Sequence, residues 1–304
     1  MILTSDNYYT PEADREYMSC SQYQDFLSCE AAAMAKIHGL YVPEPSEALT
    51  VGNYFHTALE SQEAHDAFCS EHFDDIFKTR TDKKTGEVVS AGKYAPYVKA
   101  DAMLSAINGD PLIHSLIEME GKNEVIMTGL LFGTKWKIRL DKYIEDKRII
   151  IDWKTAADLT RTEYNPVIGE RESFLEALGY LMRAAVYSEI EKQHSGSNED
   201  PKFIIVAVSK QDPPDKGAYL LNHRQRYDYE LDIVKKNMER ILAVKSGRVK
   251  PRRCGVCDYC RQTKVLQKIV PYYTLTPGYQ GEREEEYDGI FAGYMEEAQN
   301  TAIC

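Results

Sequence analysis

No apolar run in this 304-residue chain approaches the roughly 18–20 residues needed to cross a bilayer. The opening residues, MILTSDNYYT, lack a basic segment followed by an apolar one. A membrane protein or an exported one is therefore not expected, and the sequence predicts a cytoplasmic protein. Positive charge is in short supply as well: Lys+Arg 37 against Asp+Glu 48 gives a formal net charge of −11. That balance argues against a protein that coats polyanions in general, although a whole-chain sum says little about one cleft. Internal repeats and low-complexity segments are absent apart from an acidic end. Seven cysteines without an export signal read as thiols or metal ligands, not as a disulfide framework.

What is present is ordinary for a globular protein. Hydrophobic residues make up 43% and charged residues 28%, which excludes a collagenous or wholly disordered chain. The length allows one large domain or two modest ones. From residue 276 onward seven acidic residues face only Arg283, so this segment contributes −6 of the −11 and reads as a mobile acidic tail. Residues 1–275 are expected to form a single domain.

Periodicity gives a coarse order of elements. Ser21 to His38 is Ala-rich and free of Gly and Pro, which predicts one helix entered through Ser19 or Ser21; Val51 to His65 predicts another. Lys78 to Lys93 is polar and turn-rich, a surface hairpin or arch. Helices follow from about Tyr97 to Ile107 and from about Pro111. Then come three strands, Glu124 to Leu131, Lys135 to Ile144 and Arg148 to Lys154, rich in Ile, Val, Leu and Trp. A long helix is expected over Glu172 to Gln193, and a strand covered on both faces over Phe203 to Val208. Tyr219 to Asn222 reads as a strand and Tyr227 to Ser246 as a helix. The fold class is α/β or α+β, with a central mixed sheet flanked by helices.

The stretch WKIRLDKYIEDKRIIIDWKTA (Trp136 to Ala156) carries the most information. Alternation puts Asp152 and Lys154 on one face of a strand and Trp153 on the other, while Ile138 and Leu140 mark the face opposite Asp141. A turn around Asp146 and Lys147 pairs residues whose numbers sum to 293, which sets Asp141 opposite Asp152. Two carboxylates facing each other repel and call for compensation. A divalent cation with a preference for hard oxygen ligands, Mg²⁺ or Mn²⁺, provides it, and Lys154 then points at what the metal holds. The alternative is a solvated polar face in which Lys137, Arg139, Asp141, Asp152 and Lys154 pair among themselves.

Elsewhere, CGVCDYC brings Cys254, Cys257 and Cys260 together at C-x₂-C-x₂-C, three ligands for a tetrahedral Zn²⁺ or an iron–sulfur cluster, or three reduced thiols in a tight turn. Cys20 and Cys69 read as buried thiols. Beside the cysteine turn, Arg252, Arg253, Arg261, Lys264 and Lys268 against Asp258 form a basic stretch suited to a phosphate backbone, with Tyr259 available to stack on a base; a solvated helix face is the competing reading.

The order SCSQYQDFLSC, VGNYFHTALE, KIRLDKY, IIDWKTA and CGVCDYCRQTK resembles the PD-(D/E)xK nuclease superfamily with its restriction-endonuclease-like core. The likeness covers about residues 19 to 264, in the RecB-like branch and nearest the RecE-type exonuclease (exonuclease VIII) of phage and prophage recombination. That resemblance implies a Mg²⁺- or Mn²⁺-dependent exodeoxyribonuclease acting on linear duplex ends, 5′→3′. It implies a ring-shaped homo-oligomer, trimer or tetramer, and a single-strand annealing protein as partner. It implies His56, Asp141 and Asp152 as metal ligands, the Trp153 carbonyl as a further one, and Lys154 as the residue assisting water. Glu60, one turn after His56, becomes a supporting group or a solvated glutamate. The family's glutamine and tyrosine four apart correspond to Arg183 and Tyr187, the first a departure that still allows a DNA phosphate contact. Iron–sulfur nucleases of this branch, such as AddB and the CRISPR-adaptation nucleases, place one cysteine near the N-terminus, which makes Cys29 the fourth ligand of a [4Fe–4S] or Zn²⁺ site. The competing functions are a single-strand nuclease of that iron–sulfur type and a non-catalytic nucleic-acid-binding scaffold.

Overall fold

The frame of the computed structural model is a five-stranded mixed sheet, and its described residues are all except 82, 85–87, 167–168, 267–268, 270–271 and 276–304. The acidic segment from residue 276, and Lys268, lie outside the described residues. Ahead of the sheet run α1 (Pro11–Glu16), α2 (Cys20–Ser28), α3 (Glu30–Ile37), α4 (Glu47–Glu60), α5 (Gln62–Glu71) and α6 (Phe73–Ile76). The hairpin β1 (Phe77–Thr81) and β2 (Val88–Lys93) follows, then α7 (Ala95–Asn108) and α8 (Pro111–Glu118). The chain continues through β3 (Lys122–Leu131), β4 (Thr134–Ile144), β5 (Ile149–Ala156), a second hairpin of β6 (Thr162–Asn165) and β7 (Glu170–Ser173), α9 (Phe174–Ala177) and α10 (Tyr180–Ser195). It ends with β8 (Lys202–Ser209), β9 (Lys216–Leu221), α11 (Arg224–Lys245) and α12 (Asp258–Gln262). By compactness the chain divides into Met1–Cys260 and Arg261–Cys304.

The sheet order is β3-β4-β5-β8-β9, antiparallel throughout except for the parallel pair β5 and β8. Alternation along β5 and β8 feeds two cores. Ile150, Phe203, Ile205 and Ala207 pack with α2, α10 and α11; Ile149, Ile151, Trp153, Val206 and Val208 pack with α4, α7 and α8. The central strands are thus covered on both faces, which is why they read as continuous apolar runs.

Three expected helices are divided. The Ser21 to His38 helix breaks at Cys29, whose backbone is extended (φ −162°, ψ 106°) between α2 and α3. Val51 to His65 breaks at Ser61, where the Ser61 hydroxyl accepts from the Ala64 N–H to start α5. Glu172 to Gln193 begins instead as β7 and α9, and α10 starts only after Gly179, which sits at φ +71°. That left-handed conformation suits glycine, and it turns the chain so that α10 lies along the sheet. The sequence does carry a sign of this start, the capping box between Ser173 and Glu176.

β4 and β5 pair only at Lys142↔Ile151, Tyr143↔Ile150 and Ile144↔Ile149, the expected sum of 293. One step further, where Asp141 would meet Asp152, the strands part. The edge of β4 left open there is taken by Met18, which donates to the Lys135 carbonyl and accepts from the Lys137 N–H at 2.8 Å each. The pairing of β3 with β4 also passes over Glu124 and Asp141, and Glu124 sits at φ +55°. Across this irregularity the buried parity of β4 reverses: Trp136, Ile138 and Leu140 share a core with Tyr143. A local disruption of this kind re-aims side chains at the point where the strands fork.

Candidate active site and cysteine cluster

Asp141 stands at the fork. Its Oδ2 accepts from the Trp153 N–H at 2.9 Å, lies 3.4 Å from His56 Nδ1 on α4 and 3.6 Å from Lys154 Nζ on β5. Asp152, almost fully buried, has Oδ2 2.6 Å from Lys154 Nζ and Oδ1 4.0 Å from Arg183 Nη1 on α10. That buried oxygen is met by the Lys154 ammonium as an ion pair and, among the described residues, by no other donor. Lys154 Nζ also donates to the Trp153 carbonyl at 2.9 Å and lies 5.9 Å from the Tyr180 ring centroid. The predicted residues His56, Asp141, Asp152, Trp153 and Lys154 therefore meet at one place, with Trp153's indole on the opposite core as the alternation required.

The electrostatics follow from burial and proximity. Burial pushes the His56 imidazole below its usual range, only partly offset by Asp141, so the ring is held neutral with a lone pair to give. For Asp141 burial acts upward, but the Lys154 ammonium and the Trp153 N–H outweigh it and hold the carboxyl below its usual range. Burial opposes the charge on Lys154, yet Asp152 and Asp141 keep its ammonium above the ordinary lysine range. A neutral imidazole nitrogen and two buried carboxylates, with the Asp152 Oδ2 met only by the Lys154 ammonium, form a donor set that fits a hard divalent cation.

Arg183 faces Asp152, whereas Tyr187 is buried in the core with its phenol raised by burial. Tyr180 at the start of α10 was not singled out from the sequence; its place follows from the turn at Gly179. Glu60 ends α4 with its backbone carbonyl accepting from Asn123, and among the described residues no ion pair joins its carboxylate to the cluster.

The second cluster spans the chain. Sγ atoms of Cys29, Cys254, Cys257 and Cys260 all lie within 4.8 Å of one another. Cys29 is 3.6 Å from Cys260, and Cys254 3.9 Å from Cys260, too long for disulfides. N–H groups of Cys257 and Cys260 point at the sulfurs of Cys254 and Cys257. Such donors, from Cys257 and Val256, bring the Cys254 thiol down to about 6. Glu30 accepts from Arg240 and from the Arg252 N–H, at 2.6 to 2.8 Å, tying α3 to α11 and to the segment before the cysteines. Arg252's side chain is exposed, but the Arg253 guanidinium lies over the Tyr259 ring at 5.4 Å and donates to the Cys260 carbonyl. Tyr259 also packs on Tyr41 at 5.3 Å, so both residues are engaged in the cysteine turn. Arg261 and Lys264 fall in the second unit. Cys20 is buried as expected, while Cys69 is half-buried beside His65.

A central mixed sheet that forks at an aspartate, with D-x-K on the next strand, defines a PD-(D/E)xK-like nuclease fold. Residues 19–263 match the family described as "PDDEXK-like domain of unknown function (DUF3799)", and the chain belongs to that family. It is similar to the crystal structure of a "putative exonuclease" from Eubacterium rectale, with 36% identity, a TM-score of 0.80, and coverage of 92% of this chain and 100% of that one. A second solved structure, SSO0001, aligns over 79% of this chain and 91% of its own at 15% identity, with a TM-score of only 0.29. No curated protein matches the sequence. No helix among the described residues is long and apolar enough to cross a membrane.

Proposed function

We propose that this protein is a divalent-metal-dependent deoxyribonuclease that degrades linear duplex DNA from its ends. Membership of a PDDEXK-like family supports a nuclease, and so does the likeness to a protein named as an exonuclease. The observation that carries the reading is the meeting of His56, Asp141, Asp152 and Lys154 at the β4 and β5 fork, with one buried Asp152 oxygen met by the Lys154 ammonium alone.

His56, Asp141 and Asp152 would hold Mg²⁺ or Mn²⁺, with the Trp153 carbonyl completing the set once Lys154 releases it. When bound, the ion supplies Lewis-acid activation of water and stabilises charge on the departing oxygen. Lys154, kept protonated by two carboxylates, orients water and neutralises a phosphate oxygen. Arg183 holds Asp152 in place and presents a second positive charge to the backbone of the substrate. The four cysteines would hold a structural metal that closes the domain. Their separations suit a single tetrahedral ion, whose thiolates stand about 3.8 Å apart at Zn–S distances near 2.3 Å. A cubane, binding its thiolates at four separate irons, needs them wider apart.

The RecE-type resemblance supports the finer parts: 5′→3′ polarity, a ring of three or four chains, an annealing partner, and a cytoplasmic role in phage-type recombination. The test is digestion of labelled linear, nicked and closed circular duplexes, and of single strands, with Mg²⁺ and with EDTA. Cleavage of linear duplex alone, abolished by EDTA, supports the proposal. Preferential cleavage of single strands favours the CRISPR-adaptation type, and cleavage of none of them leaves a binding scaffold.

A further inference from the structure

We propose that Tyr9 is a stacking platform for a nucleobase next to the carboxylate cluster; this rests on the nuclease reading above. Tyr9 is 72% exposed, yet it is held more firmly than a surface side chain usually is. The neighbouring Tyr8 is 5% exposed and meets Tyr9 edge-on, with ring centroids 4.9 Å apart at 82°. Tyr8 is in turn fixed from below: its carbonyl accepts from Lys137, a buried ammonium that also pairs with Asp14 at 2.7 Å and lies 4.7 Å from the Tyr8 ring centroid. The Arg139 guanidinium lies 5.3 Å from the Tyr9 centroid, and its charge is met by Glu124.

Position gives this ring its meaning. Arg139 precedes Asp141 by two residues on β4, and both point away from the core that holds Ile138 and Leu140. Two residues of strand are about 7 Å. Glu124, which steadies Arg139, is the residue skipped in the pairing opposite Asp141. Through Arg139 an exposed aromatic face is thus tied to the strand that carries Asp141, two residues from the fork, and the proposal is that a nucleotide adjoining the phosphodiester held at the carboxylates reaches it. Stacking tolerates any base, because every base has a π-face, and suits an enzyme that cuts without reading sequence. Support by a guanidinium below the ring adds order without closing the outer face.

The test uses oligonucleotide duplexes with 2-aminopurine placed in turn at the last few positions of either strand, bound by the full chain in Ca²⁺. The wild type is expected to quench the fluorescence at one position. Tyr9→Ala and Tyr9→Leu, the latter keeping apolar bulk, should lose that quench and bind roughly 5- to 100-fold more weakly. Tyr9→Phe should keep both. In Mg²⁺ at saturating DNA, turnover of Tyr9→Leu should stay within threefold of wild type, with the loss appearing in KM. Unchanged quenching in Tyr9→Leu, or a loss in Tyr9→Phe as large as in Tyr9→Ala, overturns the platform. Cleavage by the wild type without quenching at any position overturns it while leaving the nuclease reading intact. A wild type that neither binds nor cuts DNA sinks the nuclease reading and the platform with it.

Discussion

The Asp141 carboxylate accepts the Trp153 backbone N–H at 2.9 Å, in the place where the next rung of the β4 and β5 ladder would lie. A side chain thus substitutes for a backbone acceptor, and no N–H is orphaned as the strands separate. The same oxygen faces His56 and Lys154. Strand separation and assembly of the cluster are one event.

Asp152→Asn keeps the shape of the residue and removes its charge. Nuclease activity should fall by at least about a thousandfold, since metal-assisted charge stabilisation is lost. Mn²⁺ should raise the melting temperature of the wild type and leave that of the variant unmoved. Activity within threefold of wild type on linear duplex with Mg²⁺ would remove Asp152 from the site.

Lys154→Met should separate turnover from metal binding. The ammonium neutralises Asp141 and Asp152 in the metal-free protein, so its loss leaves two buried carboxylates that a cation can relieve. Stabilisation by Mn²⁺ should persist or grow while the cleavage rate drops about a hundredfold or more. A weaker Mn²⁺ response with an unchanged maximal rate would contradict the role given to this lysine.

Metal analysis of protein purified without oxygen should find one zinc per chain and no visible colour, given the close packing of the four thiols. Cys29→Ser should then melt at a lower temperature, because the ion closes a loop of more than two hundred residues. Brown protein with about four irons per chain would mean that the thiols spread to accept a cubane. Finding no metal, with Cys29→Ser melting as the wild type does, would make the cysteines independent.

Lys245 supplies a pH dependence away from both clusters. Burial brings its ammonium down to about 8, while its Nζ still donates to the Tyr17 carbonyl and Gln22. Below that pH the lysine is charged in both folded and unfolded states, and its burial penalty is present in full. Between about 8 and the unfolded value near 10.4, the folded state releases a proton that the unfolded state keeps, so stability rises with pH. The gain is at most about 3 kcal/mol, and less because the side chain is only partly buried. Denaturant midpoints of the wild type should therefore rise from pH 7 to 9.5 relative to Lys245→Met. Parallel profiles for the two proteins would refute the assignment.

Much of this protein was legible in one dimension. The register sum of 293 follows from turn length, and the two-faced strands follow from alternation, because both are local properties of the backbone. The pairing of D-x-K with an earlier aspartate, and the choice of Cys29 as partner to a cysteine turn over two hundred residues away, came from the order of motifs. Local pattern could not decide where regular structure stops. Cys29 and Ser61 interrupt segments with helical composition, and the Cys29 break is joined to a tertiary demand, the approach of its thiol to Cys260. The fork itself was invisible, because the residue that takes the vacated edge of β4 is Met18, more than a hundred residues earlier in the chain. Arg139 likewise read as one more charge on a strand. Only when the N-terminal segment folds across β4 does it lie under Tyr9, since such contacts depend on which distant segments the core brings together, and no periodicity within either segment records that.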